Sequence, residues 1–271
     1  NKIPARRLLP QKNNIGDRYK IPCTATPVPD VSHETMITKI VLLGAFFCPL
    51  TLLADQKSTL IFEDNFERSE SDDSKEEIGN GWGSNSKSRA KGNKQVDLKD
   101  GAMHITFHPV ADHAVSVTHP AEFQNGKISV RFMLPTEADS LGLNFADQQF
   151  KEVHAGHLCM VKVSTRDVQI NDLKTGVMAN AMRKARQDGT ITPEQTKLLK
   201  TKTKRIPNKL AAGKWHSLTV FIKGDTMSVT INDEEVGSFS SEGIAHPTKR
   251  MLRVAVPKKA IIDDLKIFSL K

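Results

Sequence analysis

A chain of 271 residues with a formal net charge of +8, two Trp and one Tyr is long enough for one all-β domain with a sizeable core. Its poverty in aromatic residues disfavours a sugar platform of stacked rings. The excess charge is local, because Lys and Arg crowd the stretch from Lys174 to Lys209, where only Asp188 and Glu194 oppose them.

Residues 1–35 carry five prolines and little periodicity, and read as a disordered basic leader or a misassigned upstream start, with Met36 as the alternative initiator. From Met36 the pattern is a lone Lys39, an apolar run from Ile40 to Leu53, and Ala54. A basic start, an apolar middle and a small exit residue describe a signal peptide over 36–54, cleaved after Ala54. The run is shorter than the roughly 20 residues of a membrane span, so no span is expected after cleavage. The remainder, 55–271, is the expected domain of a secreted or periplasmic protein. Cys159 is then its only cysteine, which excludes an internal disulfide.

Leu60 to Phe62 opens an edge strand. The polar loop that follows contains GNGWGS at Gly79 to Ser84, with Trp82 either plugging the end of a core or stacking on a sugar. Asp97 to Gly101 reads as a turn. Strands follow around Met103, Ile105 and Phe107, and at Val115 and Val117, ending at His119-Pro120. Lys127 to Leu134 alternates cleanly, and Leu141 to Phe145, His157 to Val163, and Val168 to Ile170 read as further strands.

The pattern then becomes helical. Val177 to Gln187 has helical composition, and Thr192-Pro193-Glu194-Gln195 carries the start signals of a second helix. The expectation is a basic helical hairpin inserted at about 174–209. Few large apolar residues place it on the surface, as a solvated decoration or as a docking site for an acidic polymer or envelope component. Nucleic acid is disfavoured, because the segment has no aromatic residue to stack on bases.

Gly213 to Val236 is the strongest signal. Leu218, Val220 and Ile222 alternate with polar neighbours, Gly224-Asp225 turns the chain, and Met227, Val229 and Ile231 alternate again. Period-two alternation on both sides of a short Gly-containing link predicts a β-hairpin. Val236 to Phe239, Leu252 to Val256, and Ile261 to Phe268 complete the strands. Many short strands with regular turns predict a sandwich, barrel or jelly roll.

Three segments carry a resemblance. Phe62-Glu63-Asp64-Asn65-Phe66, the run GKWHSLTVFIKGDTMSVTIND from Gly213, and Ile261 to Phe268 with its Asp pair resemble the opening, central and closing strands of concanavalin A-like, laminin G-like jelly rolls. More narrowly, 60–271 resembles exported proteins with the 3-keto-disaccharide hydrolase-type domain, and AGHLCMVKV at Ala155 to Val163 fits that group. The resemblance implies an all-β, two-sheet jelly-roll sandwich with a concave face suited to carbohydrate. The basic insertion departs from the simplest pattern and would reshape or cover that face.

The chemistry is less explicit. No strand carries the alternate carboxylates of a retaining endoglucanase. His154-x-x-His157-x-Cys159 has a spacing that suits a metal, although ordinary buried roles fit these residues too. Glu63 or Asp64 with Asp263 or Asp264 would meet if the first and last strands are neighbours, forming a structural calcium site or capping turns; no other cofactor is required. The candidate active site is the concave face near the 144–157 loop. There Asp147, Glu152, His154 and His157 are the candidate catalytic residues, with Asn144, Arg131 and Trp82 as substrate contacts. The resemblance implies cleavage of a 3-keto glycoside, for which one general base and one carbonyl-polarising group suffice. The alternative is a non-catalytic carbohydrate-binding or cell-surface interaction module.

Overall fold

The computed structural model describes residues 58–271. The expected leader over 1–35 and the signal peptide over 36–54 lie outside the described residues. Strands β1 (Ser58–Asp64), β2 (Gly83–Ser84), β3 (Val96–Lys99), β4 (Ala102–Thr106) and β5 (Val115–Phe123) come first. They are followed by β6 (Asn125–Met133), β7 (Ser140–Ala146), β8 (His157–Ser164), β9 (Asp167–Asp172) and β10 (Thr203–Pro207). The last five are β11 (Trp215–Lys223), β12 (Thr226–Ile231), β13 (Glu234–Ser240), β14 (Lys249–Val256) and β15 (Lys259–Leu270). Helices α1 (Ser86–Arg89), α2 (Asn180–Gln187) and α3 (Pro193–Thr201) are short.

The strands form two antiparallel sheets. One has eight strands in the order β13-β12-β11-β6-β15-β4-β3, with β1 also paired to β15. The other has seven, in the order β10-β9-β8-β7-β14-β5-β2. The expected hairpin is β11 and β12, with Leu218 opposite Ile231 and Ile222 opposite Met227. Leu218, Val220, Ile222, Met227 and Val229 are all buried. On the seven-stranded sheet Val117, Val254, Leu143, Val161 and Ile170 stand in one cross-strand row, fully buried between the sheets. Each such side chain contributes about 1.5–3 kcal/mol by leaving water.

Several details differ from expectation. The stretch 174–209 is not a helical hairpin insertion. It holds two short helices, of eight and nine residues, and ends in β10, which adds an edge strand beside β9. Lys204 and Ile206 alternate too briefly among basic residues to announce that strand. The second helix starts as its sequence signals, with Thr192 and Gln195 forming a reciprocal cap. The turn expected at 97–101 begins later, because Asp97 lies in β3 opposite His104. Strand β5 runs through Pro120, beyond the end of its β2 neighbour at Thr118 and beside a register irregularity in β14. A residue without an N–H is tolerated there.

Asp172, at the end of β9, ties the start of the helical stretch to the turn before β14. Its carboxylate accepts hydrogen bonds from Thr175 N–H at 2.9 Å, Ser241 Oγ at 2.6 Å and Gly243 N–H at 3.0 Å. A Cβ on Gly243 would lie 1.9 Å from Asp172 Oδ1. Gly243→Ala is therefore expected to cost about 1–3 kcal/mol through overpacking, read as a lower midpoint in denaturant unfolding with an unchanged slope.

Candidate active site on the seven-stranded sheet

Alternation fixes what the outer face of the seven-stranded sheet carries. One cross-strand row there is Thr118, Arg253, Asn144, Met160, Asn171 and Thr203. The next is Ser116, Ala255, Gly142, Lys162, Gln169 and Arg205. The buried apolar row described above lies between them in sequence and faces the opposite way. A Cβ on Gly142 would lie 2.3 Å from Met160 Cε, so the Met160 side chain rests across that glycine.

Asn144, His157 and Arg253 form a connected chain on this face. Asn144 is buried, and its Oδ1 lies 2.9 Å from His157 Nδ1. Arg253 Nη1 lies 3.0 Å from His157 Nε2, and Arg253 Nη2 donates to the Ala155 carbonyl at 2.7 Å. A guanidinium only donates, so His157 Nε2 is the acceptor and Nδ1–H donates to Asn144. Burial, then the charges of Arg253, His154 and His113, push the His157 pKa down to about 4. The ring is thus neutral at pH 7, and its one acceptor nitrogen is occupied.

The Ala155 carbonyl is aimed by a tight turn between β7 and β8. Ala155 and Gly156 both have left-handed backbones, with φ of 51° and 73°. A Cβ at Gly156 would lie 2.3 Å from the Asp147 carbonyl oxygen, so the turn requires glycine there. His154 opens this turn with an exposed ring, its centroid 6.4 Å from that of His157. Partial burial and the charges of Arg183, Arg253, Arg89 and His113 hold its pKa below the ordinary value.

Arg253 itself is half-buried, and both of its protein partners are neutral. Among the described residues no carboxylate pairs with it. Charges withdrawn from water are ordinarily paired, so this unpaired guanidinium marks a candidate site. The sequence reading missed it, although the signal was available: Leu252, Val254 and Val256 are core residues, so the residue between the first two must face outward.

The other expected residues fall elsewhere. Asp147 is buried beneath the turn; its Oδ1 accepts from Gln149 N–H at 2.8 Å and its Oδ2 from His246 Nε2 at 3.3 Å. It shapes the loop and does not face the outer surface. Glu152 is exposed on the loop, where its backbone carbonyl accepts from Asn180 N–H at 3.0 Å. Arg131 belongs to β6 in the other sheet. It lies 2.8 Å from Asp263 and 4.9 Å above the Trp215 ring, so it contributes nothing to this face. Trp82 is buried, donating its indole N–H to Asp64 at 2.8 Å, and plugs the core.

Neither candidate metal grouping comes together. The register between β7 and β8 shifts between Phe145 and Ala146, and Cys159 turns fully into the core while His157 bonds outward to Asn144. The two cannot bind one metal ion. Burial raises the Cys159 thiol to about 12. The first and last strands do pair, with Glu63 opposite Lys266, but an arginine stands where a cation would. Arg68 forks onto both Asp64 oxygens at 2.7 and 3.0 Å, and Arg131 lies 2.8 and 3.3 Å from Asp263 and Asp264. These acids do not fit calcium.

The two antiparallel sheets and their strand order define a concanavalin A-like jelly-roll sandwich. The profile of the 3-keto-α-glucoside-1,2-lyase-like domain (the 3-keto-disaccharide hydrolase domain) matches residues 72–261, and the chain belongs to that family of carbohydrate-active jelly-roll domains. No curated protein sequence matches it. Among solved structures, the laminarinase from Rhodothermus marinus is similar at 9% identity and TM-score 0.52, covering 80% of this chain and 99% of that one. The endo-β-galactosidase from Clostridium perfringens is similar at 9% identity and TM-score 0.51, covering 78% and 62%. The laminarinase catalytic domain from Thermotoga maritima is similar at 15% identity and TM-score 0.50, covering 79% and 99%. At these identities the likeness is one of fold.

Proposed function

We propose that the outer face of the seven-stranded sheet binds a 3-keto glycoside and cleaves it by elimination, with His154 as general base and Arg253 as the oxyanion partner. The observation that carries this reading is the half-buried Arg253, held by His157 and the Ala155 carbonyl with no counterion among the described residues. A 3-keto sugar develops negative charge on its carbonyl oxygen when the proton at C2 is removed. A preorganised cation at that oxygen stabilises the enolate. The donors of Arg253 not used by the protein are suited to that oxygen.

The steps balance without an oxidant or reductant. His154 takes the C2 proton, and the electron pair of that C–H bond passes into the enolate. The enolate re-forms the C3 carbonyl, the C1–C2 double bond forms, and the C1–O bond breaks. The departing oxygen takes the proton back from the His154 imidazolium. The products are an unsaturated 3-keto sugar and the released alcohol. His157 does not act as the base, because Arg253 occupies its Nε2; it positions the guanidinium and Asn144 fixes its tautomer.

The test is to incubate the full chain with a 3-keto-α-glucoside and follow the unsaturated product. His154→Gln is expected to lower kcat by roughly 10²–10⁴-fold, the usual contribution of a general base. The base works in its neutral form, which is populated above its pKa. Because that pKa lies below the ordinary 6.5, the rate should rise with pH through a midpoint under 6.5. An acidic limb centred above 6.5, or full activity in His154→Gln, would remove His154 from the role.

A further inference from the structure

The two outer rows that contain Arg253 and Lys162 include no carboxylate. Lys162 is half-buried between Gly142 and Gln169 in register, and it has no acidic partner among the described residues. Further positive charge is brought to the His154 end by the neighbouring elements. The segment leading into α2 is stitched to the 150–156 loop: Val153 pairs with Ala179, His154 N–H donates to the Met178 carbonyl at 2.8 Å, and Asn180 N–H to Glu152. Arg183 follows one turn later, its N–H bonded to the Ala179 carbonyl at 2.8 Å. Among the described residues its guanidinium has only a neutral partner, Gln187 Oε1 at 3.0 Å. Arg89 adds charge from elsewhere and acts on His154 in the same direction as Arg183. The acids nearby are at the rim: Asp112, 3.5 Å from Arg89, the exposed Glu152, and Asp167, which lines a pocket with Lys162 and is taken up by Arg205 at 2.6 Å.

Cations gathered around one end of a face repel one another, and an anionic ligand removes that cost. A planar guanidinium with donors to spare matches a carboxylate fork. We propose that the saccharide bound here is acidic, a uronic acid-type glycoside whose carboxylate is taken by Arg183 beside His154, with Lys162 adding positive charge from the sheet. The inference rests on the outer face being the sugar site, and it assigns the substrate class of that site.

The experiment compares a neutral 3-keto-α-glucoside with the corresponding 3-keto-α-glucuronoside on the full chain. The expected kcat/KM is at least about tenfold higher for the acid, the value of one charge-assisted hydrogen bond. That ratio should fall towards unity in Arg183→Gln, be partly retained in Arg183→Lys, and stay unchanged in Lys197→Gln on the exposed face of α3. A ratio of unity or below in the wild type overturns the inference and leaves the elimination reading standing. If neither compound is cleaved, the elimination reading fails, and calorimetric binding of the unoxidised α-glucuronoside and α-glucoside decides the inference. An acid preference that is lost in Arg183→Gln sustains it, and equal affinities overturn it. Tighter binding of a sulfated α-glucoside than of the glucuronoside also overturns the carboxylate assignment.

Discussion

Replacing Arg253 with glutamine is expected to lower kcat/KM for 3-keto glycosides by about 10²–10³-fold, the loss usually seen when one oxyanion donor is removed. Two features separate this from a structural effect. The guanidinium contributes two hydrogen bonds, to His157 and the Ala155 carbonyl, but it also places an uncompensated charge in a half-buried position. The gain and the cost oppose each other, so the Tm of Arg253→Gln should stay within about 3 °C of wild type, the shift of one kcal/mol for a domain of this size. Arg253→Lys keeps the charge without the fork, and it should recover only part of the activity. Loss of activity together with a collapse in Tm would mean that Arg253 holds the turn and does not serve the reaction.

The second large effect is on stability. Asp64 is buried at the end of β1, where Arg68 forks onto it, Asn80 Nδ2 and Trp82 Nε1 donate at 3.0 and 2.8 Å, and the Phe66 amide donates at 2.8 Å. Asp64→Ala removes the acceptor from all of them and leaves a partly buried guanidinium unpaired. The expected cost is about 3–5 kcal/mol, the penalty for breaking a buried pair from one side, or a fall in Tm of roughly 10–15 °C. Asp263→Ala, facing the half-exposed Arg131, should cost less than about 1 kcal/mol. Burial alone would raise the Asp64 pKa. The hydrogen bonds from Arg68, Asn80, Phe66 and Trp82 outweigh it, so the folded pKa lies below 3.8. A depressed carboxylate contributes stability that is present above the unfolded value and is lost as pH falls through the folded one. Acid unfolding of the wild type should therefore show this loss below pH 3.8, and Asp64→Ala should lack it.

The fold was legible where one side of a strand is apolar and the other polar. Leu218 to Lys223 and Lys127 to Leu134 announce both their strands and their faces. Strands β3 and β10 were not legible, because four or five residues with one or two apolar positions give no period. The candidate site was legible by place only. His154 and His157 lie where the 144–157 loop was expected to work, yet composition cannot say that Asp147 turns inward to His246 or that Cys159 leaves His157 at a register shift. Arg131 was assigned to this face because a sequence does not say which of two sheets takes a strand. Arg253, nearly a hundred residues from His157, becomes its neighbour only through the pairing of β14 with β7.

A 3-keto-α-glucoside carrying deuterium at C2 tests the account most directly. The full chain should release the unsaturated 3-keto sugar with the label lost to water and a primary isotope effect on kcat/KM, and His154→Gln should suppress that release. Cleavage that leaves deuterium at C2, at the rate of the unlabelled compound and undiminished in His154→Gln, would contradict elimination on this face.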